Sequence, residues 1–486
     1  MILQELMKHI QLVDPVHIPD REVAGLQFDS RKVKSSEVFF AVQGTQTDGH
    51  QYIDAAIALG ATVIVHDQTI ERRADITYLQ VRNSAEALGI AAGNFYGNPS
   101  RSLKLVGVTG TNGKTTVVTL LHQLFSALGY HAGLLSTVEN RIGERVVPAT
   151  HTTPDPLQIN ALMRDMLEAG CDYCFMEVSS HAVVQHRISG LHFTGGVFTN
   201  ITHDHLDFHG SFAHYIQAKK GFFDHLDKSA FALSNADDKH GRVMLQNTPA
   251  YTKTYGLKNM ADYRGRVLES HFSGMLMQID QQELWVKLVG GFNAYNILAV
   301  YGTALLLEQD SHKVLRALSK VESAEGRFET LVSSDHKVGI VDYAHTPDAL
   351  LNVLSTIRNL RGRSGAQIIT VVGCGGDRDK QKRPRMAAVA AEYSDRVILT
   401  SDNPRTEDPL QILRDMEAGI SPDMKRKCFT ISDRREAIRA ACHIAQGQDI
   451  ILIAGKGHET YQEIQGVRHP FDDKEILTES LNESQL

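Results

Sequence analysis

The strongest constraint on the fold is an apolar segment that leads into a glycine-rich loop and then into a helix. The segment Leu103–Val108 has the composition of a buried strand, and Gly107–Thr116 reads GVTGTNGKTT. A helix is predicted from Lys114 to about Leu128. Glycines allow backbone N–H groups to point inward around a polyphosphate, and a helix N-terminus adds positive potential. The sequence therefore predicts an α/β domain that binds a nucleoside triphosphate.

This loop also supplies side chains for phosphate and magnesium binding. The Lys114 ammonium can reach the β- and γ-phosphates, and the Thr115 hydroxyl can ligate Mg²⁺. The strict pattern GxxxxGK[ST] is not met, because Val108 stands at its first glycine position and Gly110 provides flexibility inside the loop instead. An ordinary glycine turn is the alternative. The predicted ATP-binding residues of the loop are Gly110, Thr111, Asn112, Gly113, Lys114, Thr115 and Thr116.

Two further regions alternate short strands with helices. In the C-terminal third, strands are predicted at Val338–Asp342, Gln367–Val372, Arg396–Thr400 and Asp449–Ile453. Amphipathic helices separate these strands, which indicates a second, doubly wound parallel sheet that starts near Leu331. The first 100 residues show the same alternation on a smaller scale, and the turn formers in Gly97–Ser102 mark a boundary after it.

Length and composition exclude several classes of protein. A chain of 486 residues suggests about three domains. The net charge of −7 argues against a general nucleic-acid binder. The N-terminus resembles no secretory signal, and no apolar run is long enough to span a bilayer. Five cysteines do not suggest a disulfide framework, and the single CxxC pair, Cys171 and Cys174, is better explained by burial than by zinc. A reducing, cytoplasmic location is expected.

A possible metal site follows two strands of the central region. Glu177 lies near the carboxyl end of one predicted strand, and His205 lies just beyond the end of the next. A carboxylate and an imidazole at this edge could hold Mg²⁺ together with the phosphates. The three histidines and two aspartates of His203–His209 also leave open a zinc site or a solvated polar loop. Lys219 would be a surface lysine on spacing alone.

The C-terminal region contains two loops whose arginines could bind a carboxylate. The loop Gly373–Pro384 follows a strand but lacks the GxGxxG pattern of dinucleotide sites, because Arg378 occupies the last glycine position. In Ser401–Pro409, Pro404 restricts the backbone and Arg405 can bind a carboxylate through two N–H groups. A simple proline turn with a surface arginine is the alternative for the second loop.

Taken together, these segments resemble the Mur ligases, which build the peptide stem of bacterial cell-wall precursors. The motifs TGTNGKTT, EVSSH, TNITHDHLDFHG, GFNAYNILA, EGRFE and DYAHTPDAL occur in the family's order and cover essentially the whole chain. The resemblance implies an α/β fold of three domains. Residues 1–100 would bind the UDP-MurNAc substrate, residues 101–330 would form a central P-loop-type, parallel-sheet ATPase domain, and residues 331–486 a Rossmann-like domain for the amino acid.

The resemblance also implies the reaction. A ligase of this family uses ATP and Mg²⁺ to phosphorylate a carboxylate and then joins it to an amine, releasing ADP and phosphate. The expected substrates are UDP-MurNAc-L-Ala-D-Glu and meso-diaminopimelate. No nucleic acid or membrane is expected as a partner, and a monomer is the default. Arg405 favours meso-diaminopimelate over L-lysine, because the second centre of meso-diaminopimelate carries a carboxylate that a guanidinium can bind.

The roles of individual residues follow from the same resemblance. Lys219 matches a carbamylated lysine (N6-carboxylysine) that ligates a second Mg²⁺, with Thr115, Glu177 and His205 as further metal ligands. The residues matched to catalysis are Lys114, Glu177, His205, Lys219 and Arg327. Further ATP contacts are matched by Asn293, Asn296, Arg327, Asp342 and His345. The UDP-MurNAc-dipeptide site is matched by Phe28, Ser30, Thr45, Gln46, Thr47, His151, Thr152, Thr153, Ser179, Gln185 and Arg187. The meso-diaminopimelate site is matched by Arg378, Asp402, Asn403, Pro404, Arg405, Gly455 and Glu459.

Four other functions remain open at this stage. A lysine-adding ligase is expected to lack the arginine at position 405, and a folylpolyglutamate synthetase is expected to lack both the DNPR segment and the N-terminal uridine domain. An ATPase that drives transport or regulation would release phosphate without an amine substrate. A nucleotide-binding scaffold without chemistry would leave Glu177, His205 and Lys219 unexplained.

Overall fold

The N-terminal part of the chain forms a small parallel sheet with helices around it. The computed structural model describes residues 1–13, 18–45, 47–149, 151–202 and 206–483. The first elements are α1 (Leu3–Leu6), β1 (Gly25–Gln27), β2 (Glu37–Phe40), α2 (Ile53–Ala58), β3 (Val63–His66), β4 (Thr77–Gln80) and α3 (Ser84–Phe95). The strands are parallel and lie in the order β1-β2-β3-β4. The Asn83 side chain accepts the N–H of Glu86, which satisfies a donor that the first turn of α3 leaves open.

A large central sheet follows. Its strands are β5 (Lys104–Thr109), β6 (Ala132–Leu135), β7 (Glu139–Ile142), β8 (Arg145–Pro148), β9 (Tyr173–Glu177), β10 (Gly195–Phe198), β11 (Phe231–Asn235), β12 (Tyr251–Gly256), β13 (Tyr263–His271), β14 (Gly274–Ile279) and β15 (Gln282–Val286). Its helices are α4 (Lys114–Ala127), α5 (Pro156–Glu168), α6 (Ser180–Val184), α7 (Leu206–His209), α8 (Phe212–Asp224), α9 (Gly241–Leu245), α10 (Gly291–Leu306) and α11 (Ser311–Leu318).

Helices bury both faces of the central sheet, as the apolar strands predict. Successive side chains of a strand point to opposite faces. Accordingly Phe175 of β9 joins the core formed with α4 and α10, whereas Cys174 and Met176 join the core formed with α5 and α8. Cys171 and Cys174 are both buried and not in a disulfide, which confirms that this CxxC pair is part of the core.

The central sheet is mixed rather than fully parallel, so the prediction of a parallel sheet is correct for its middle and wrong for its edges. The order is β15-β14-β13-β12-β11-β10-β5-β9-β6-β7-β8. The middle of the sheet is parallel and consists of β6, β9, β5, β10, β11, β12 and β13. Each edge is an antiparallel extension, in which β7 pairs with β6 and β8, and β14 pairs with β13 and β15. The antiparallel edges are hairpins with exposed positions, such as Val146 and Trp285, and lack the continuous apolar runs of buried parallel strands.

The C-terminal part forms a third sheet. Its elements are β16 (Glu329–Val332), β17 (Val338–Asp342), α12 (Pro347–Arg361), β18 (Ile368–Val372), α13 (Lys382–Tyr393), β19 (Arg396–Leu399), α14 (Pro409–Glu417), β20 (Cys428–Thr430), α15 (Arg434–Ile444), β21 (Ile450–Ala454), β22 (Tyr461–Ile464), β23 (Val467–Pro470) and α16 (Asp473–Glu483). The order is β16-β17-β21-β18-β19-β20, with only β16 antiparallel, while β22 and β23 form a separate hairpin.

Two features of the third sheet bear on the predicted organisation. The four predicted strands of this region are present within one residue of their expected ends, and helices separate them as predicted. The boundary placed between residues 330 and 331 falls inside β16, which pairs with β17.

Among the residues that the structure describes, none of the helices combines the length and apolar character needed to span a bilayer.

Candidate functional site

The carboxyl ends of the central and C-terminal sheets line one cleft of about 810 Å³. The central sheet contributes the loops after β5, β9, β10 and β11, and the C-terminal sheet contributes the loops after β17, β18, β19 and β21. Ligands of parallel α/β sheets bind at this edge. The predicted site residues that line the cleft are Thr111, Asn112, Gly113, Lys114, Thr115, Thr116, His151, Thr152, Thr153, Glu177, Ser179, Arg187, Asn296, Arg327, Asp342, His345, Arg378, Asp402, Asn403, Arg405, Gly455 and Glu459.

The glycine-rich loop needs its glycines for conformation and for space. Gly110 has φ of +155° and Gly113 has φ of +87°, and α4 begins directly after Gly113. A Cβ atom on Gly110 would lie 1.9 Å from Thr199 Oγ1, and one on Gly113 would lie 2.6 Å from Asn296 Oδ1. Only glycine fits both positions without displacing neighbours. The loop is therefore folded tightly around the N-terminus of a helix, the geometry that binds anions.

The segment after β10 fastens this loop, a role that sequence reasoning missed. The Thr199 hydroxyl donates to the carbonyl of Asn112 at 2.6 Å, and the Asn200 amide donates to the same carbonyl at 3.0 Å. In return, the N–H of Asn112 donates to Asn200 Oδ1 at 3.0 Å. The sequence signal for this role is the presence of two polar residues directly after a buried strand. The metal interpretation of this segment rested instead on the histidines that follow them.

Two lysines converge beneath the loop. Lys114 Nζ donates to the carbonyls of Gly110 and Thr111, both at 3.0 Å. Lys219 Nζ donates to the same Gly110 carbonyl at 2.8 Å and lies 4.6 Å from the centre of the Tyr215 ring. Lys219 is only 1% exposed, so the surface position expected from spacing alone is wrong.

Glu177 provides a buried carboxylate on the cleft wall. It ends β9 and is 1% exposed. Its Oε1 atom accepts the N–H of Thr137 at 2.7 Å, whereas its Oε2 atom is buried without a hydrogen-bond partner among the described residues. Burying an unpaired carboxylate oxygen is costly in the absence of a cation or a donor. Glu177 therefore fits a divalent cation bound near the phosphate loop.

Arg327 links the C-terminal part to the phosphate loop. Its Nη2 atom donates to Thr115 Oγ1 at 3.2 Å, and its guanidinium carbon lies 4.4 Å from the centre of the Tyr343 ring. Burial raises the pKa of Asp342 to about 6, although nearby Arg327 and the N–H of Phe328, at 2.7 Å, oppose the rise. A cation that precedes β16 and a carboxyl group at the end of the adjacent strand β17 thus both line the cleft.

Three of the matched ATP positions differ in how they meet the cleft. Asn296 and His345 line it. Asn293 is 2% exposed and lies behind Asn296, whose Nδ2 atom donates to Asn293 Oδ1 at 2.9 Å. The Asn293 side chain in turn donates to the carbonyl of Val289 at 2.8 Å. In this structure Asn293 orients Asn296 rather than facing the cleft itself.

A direct contact joins the two sheets across the cleft. The Asn112 side chain, in the phosphate loop, donates to Asp348 Oδ2 at 3.1 Å. Asp348 lies in the first turn of α12, and its burial raises its pKa, which the hydrogen bond from Asn112 opposes. The sequence showed only that TNGKT and HTPDAL are separate motifs; their pairing depends on how the two sheets pack.

The matched sugar–peptide residues form one connected network on the other side of Glu177. The Thr153 hydroxyl donates to the backbone carbonyl of Glu177 at 2.9 Å and accepts the N–H of Ser179 at 3.1 Å. Arg187 donates to the Thr153 carbonyl at 2.7 Å and to Gln185 Oε1 at 2.9 and 2.6 Å. Arg187 lines the cleft. Gln185 does not line it, but its side chain holds the Arg187 guanidinium in place.

The C-terminal wall carries a pocket with both signs of charge. Asn403 donates to Glu459 Oε2 at 2.7 Å, and Arg405 donates to the carbonyl of Gly376 at 2.7 Å. Burial alone would raise the pKa of Asp402, but nearby Lys456 and Arg434 outweigh it and hold that pKa below its usual value. The pocket thus offers carboxylates for an ammonium group and a guanidinium for a carboxylate.

Backbone geometry brings these groups close together. Gly455 has φ of +122°, and a Cβ atom there would lie 2.6 Å from Asp402 Oδ2. A Cβ atom on Gly375 would lie 2.8 Å from the Nη1 atom of Arg405. Arg378, in the same loop as Gly375, is exposed and also lines the cleft. Pro404 is buried and does not line the cleft in the described part of the chain.

The matched uridine residues lie at a different sheet edge. Phe28 and Ser30 follow β1, and Thr45 and Thr47 lie in the loop after β2, at the carboxyl end of the N-terminal sheet. That loop is closed by a hydrogen bond from the N–H of Gly44 to the carbonyl of Thr47 at 2.9 Å. These four residues do not line the cleft in the described part of the chain.

Two predicted residues, Gln46 and His205, lie outside the described residues, as do His203 and Asp204 of the histidine-rich segment. Within the described ranges, no group of three or more histidines, cysteines, aspartates and glutamates is arranged to hold a metal ion. The zinc interpretation therefore gains no support from the described residues.

Comparisons with known proteins match the chain along most of its length. Residues 22–96 match the model "Mur ligase family, catalytic domain", residues 108–304 "Mur ligase middle domain" and residues 326–457 "Mur ligase, glutamate ligase domain". The UDP-N-acetylmuramoyl-L-alanyl-D-glutamate–2,6-diaminopimelate ligase of Cytophaga hutchinsonii is 55% identical over 484 residues, covering 99% of each chain. The protein of that name from Bacteroides thetaiotaomicron is 53% identical, covering 99% of this chain and 100% of the relative. A solved structure of a ligase with this name has 33% identity and a TM-score of 0.70, covering 100% of this chain and 99% of the other.

Proposed function

Because this chain belongs to the Mur ligase family, we propose that it joins meso-2,6-diaminopimelate to the D-glutamate γ-carboxylate of UDP-N-acetylmuramoyl-L-alanyl-D-glutamate, driven by ATP, in the synthesis of peptidoglycan precursors. The observation that carries the proposal is the shared cleft. Its central wall is the phosphate loop, and its C-terminal wall is the Asp402–Arg405 loop with Glu459. A site that activates a carboxylate therefore faces a site that presents an amine.

The central wall would bind ATP and stabilise the transfer of its γ-phosphoryl group. The backbone N–H groups of the loop and the Lys114 ammonium would hold the phosphates. Arg327, already hydrogen bonded to Thr115, would offset the charge that builds up between two anions. The γ-phosphoryl group would pass to an oxygen of the substrate γ-carboxylate, which gives an acyl phosphate and ADP.

Magnesium is the expected cofactor, and the residues present fit it. Thr115 and the Oε2 atom of Glu177, which has no hydrogen-bond partner among the described residues, would hold one ion, with His205 as the further ligand expected from the family. Carbamylation of the buried Lys219 amine would replace a cation by an anion and create a ligand for a second ion. When bound, Mg²⁺ supplies positive charge that lowers the repulsion between the phosphates and the carboxylate.

The C-terminal wall would bind the diamino acid and direct its amine. Arg405 would bind the distal carboxylate, Asp402 and Glu459 would receive the distal ammonium, and Asn403 and Gly455 would orient that end. The proximal amine, in its neutral form, attacks the acyl carbon, and the tetrahedral intermediate expels phosphate while the nitrogen loses a proton. Closure of the C-terminal part over the central sheet would exclude water from the acyl phosphate.

The UDP-MurNAc-dipeptide would extend from the cleft towards the N-terminal sheet. Arg187 and the network of Thr153 and Ser179 would bind the sugar–peptide portion, next to Glu177. Ser30 and the loop after β2 would bind the uridine. The proposed roles of the uridine residues, the carbamate at Lys219, the cytoplasmic location and the monomeric state remain predictions.

The decisive experiment supplies purified protein with ATP, Mg²⁺ and UDP-MurNAc-L-Ala-D-Glu, and compares meso-diaminopimelate with L-lysine while ADP, phosphate and the peptide product are measured. We expect ADP release that depends on both the nucleotide-sugar peptide and meso-diaminopimelate. The variant Arg405→Ala should lower kcat/KM for meso-diaminopimelate by roughly 100-fold, since a bidentate partner of a carboxylate is lost, with a smaller effect on L-lysine.

Each alternative predicts a different result. Equal use of both amines would refute the role of Arg405 but leave a ligase. Phosphate release without any amine would indicate an ATPase, and ligation of glutamate to a folate would indicate folylpolyglutamate synthetase activity. If ATP is never converted to ADP with any candidate amine, the proposed function is wrong.

A further inference from the structure

A buried lysine supports the pocket that would receive the diamino acid. Lys456 has a side chain that is 0% exposed. Its Nζ atom donates to Asn403 Oδ1 and to Glu459 Oε2, both at 3.1 Å. A buried ammonium is costly unless charged or polar partners surround it. Here its partners are two residues of the proposed amino-acid site, so the cation and the site stabilise each other.

A β-hairpin, β22–β23, supports the same loop from its other side. The N–H of Glu463, in β22, donates to Asn403 Oδ1 at 2.9 Å, and the Gln462 side chain donates to the carbonyl of Asp402 at 2.7 Å. The N–H of Arg405 donates to the carbonyl of Glu463 at 3.0 Å, and the N–H of Gln465 donates to the carbonyl of Arg405 at 2.6 Å. The hairpin therefore pairs with the Asp402–Arg405 loop almost as a further strand.

The backbone of Arg405 shows why this support is needed. Arg405 has φ of +52°, a left-handed conformation that is unfavourable for a residue with a side chain. Such a conformation persists where surrounding contacts over-determine it, and it is common in ligand-binding loops. The two hydrogen bonds to the hairpin hold Arg405 in this state, and its side chain is thereby directed to the carbonyl of Gly376.

These contacts also orient the amide of Asn403. Its Oδ1 atom accepts two donors, Lys456 Nζ and the N–H of Glu463. The Nδ2 atom is consequently left to donate to Glu459 Oε2 at 2.7 Å. Without the two donors, the amide could rotate and present oxygen rather than N–H groups to Glu459.

We propose that Lys456 and the hairpin β22–β23 are positioning elements that hold Asn403, Glu459 and Arg405 in the geometry that selects meso-diaminopimelate. This inference rests on the proposed function. Apart from the Gln462 side chain, the hairpin acts through backbone groups, so the residue types at its other positions can vary while its register cannot. Lys456 acts through its charge and length.

The sharpest test removes one backbone donor. Glu463→Pro deletes the N–H that reaches Asn403 and keeps the carbonyl that accepts from Arg405; proline is tolerated on a strand edge whose N–H does not pair within the hairpin. The matched control, Glu463→Ala, keeps the N–H. Relative to this control, we expect Glu463→Pro to raise KM for meso-diaminopimelate about 10-fold, as loss of a buried hydrogen bond does, with KM for ATP and kcat unchanged. The preference for meso-diaminopimelate over L-lysine should fall by a similar factor.

A second variant tests the lysine independently. Lys456→Met keeps the length of the side chain but removes the cation, and the exposed Lys425→Met is its control. Lys456→Met should raise KM for meso-diaminopimelate about 10-fold or more without changing KM for ATP. Equal KM values in Glu463→Pro and Glu463→Ala, together with an unchanged KM in Lys456→Met, would overturn the proposal.

Thermal unfolding of each variant separates positioning from a general structural role. If both Glu463→Pro and Lys456→Met lose the wild-type transition, these residues serve folding and the proposal is refuted. If the wild-type protein does not use meso-diaminopimelate at all, the proposed function fails instead, and this outcome is visible before any variant is compared.

Discussion

Replacing Gly455 by alanine should damage the amino-acid pocket far more than it damages the fold. Gly455 has φ of +122°, and the added Cβ atom would lie 2.6 Å from Asp402 Oδ2. An ordinary contact begins near 3.4 Å, so the Asp402 carboxylate would have to move by about 0.8 Å. The backbone conformation itself costs about 1–2 kcal/mol for a residue with a side chain.

The displaced carboxylate should impair substrate binding more than the strained backbone impairs folding. A displacement approaching 1 Å in a group that orients a substrate can cost about 10²-fold. We therefore expect Gly455→Ala to raise KM for meso-diaminopimelate between about 10-fold and 100-fold. KM for ATP should not change, because the phosphate loop lies on the opposite wall of the cleft.

Gly170→Ala is the matched control. Gly170 has φ of +76°, and a Cβ atom there meets nothing within 4 Å. It should lose about 1–2 kcal/mol of stability by the same backbone effect and retain wild-type kinetics. Steady-state kinetics with meso-diaminopimelate as the varied substrate, and urea unfolding of both variants, provide the comparison. Wild-type KM for meso-diaminopimelate in Gly455→Ala would refute the assignment of Asp402 to this pocket.

Three further predictions concern the phosphate loop, a buried ion pair and a buried carboxyl group. Lys114→Met should lower kcat by about 10²-fold or more in the ADP-release assay while the protein remains folded, because a charge that stabilises the transferring phosphoryl group is lost; near-normal turnover would exclude that role. Arg434→Met breaks the pair with Asp473, in which both side chains are 0% exposed and 2.7 Å apart. It should cost about 3–5 kcal/mol in urea unfolding, against less than about 1 kcal/mol for Arg435→Met, whose side chain is partly exposed. Burial raises the pKa of Asp342 from 3.8 to about 6, so the folded state binds the proton more tightly and the stabilising contribution of protonation is lost as pH rises through about 6. The free energy of unfolding of the wild-type protein, relative to Asp342→Asn, should thus fall between pH 4 and pH 7 by up to about 3 kcal/mol, and a pH-independent difference would contradict the shift.

Much of the fold and part of the site could be predicted because their signals are local. The strand–loop–helix unit around Lys114 and the strands of the C-terminal sheet are each written in consecutive residues, as apolar runs, glycines and helix-starting residues. Parallel strands also end at a common edge, so loops far apart in the chain could be expected to meet there. The motif resemblance then assigned roles to residues such as Arg327 that no spacing rule would identify.

Other features arise only when distant segments pack. The antiparallel hairpins at the edges of the central sheet are partly exposed and lack a strong pattern, so they were not predicted. The burial of Lys219 under the phosphate loop depends on a helix more than 100 residues further along the chain.

The sequence by itself determined which chemical groups this protein has and the order in which its strands, helices and loops follow one another, because hydrophobic periodicity and turn-forming residues act over a few neighbours. Tertiary structure alone decided that Thr199 and Asn200 fasten the phosphate loop and that Lys456 and a hairpin orient the residues around Arg405. Hydrogen bonds between residues remote in sequence depend on the relative placement of whole strands and sheets, which no local pattern records.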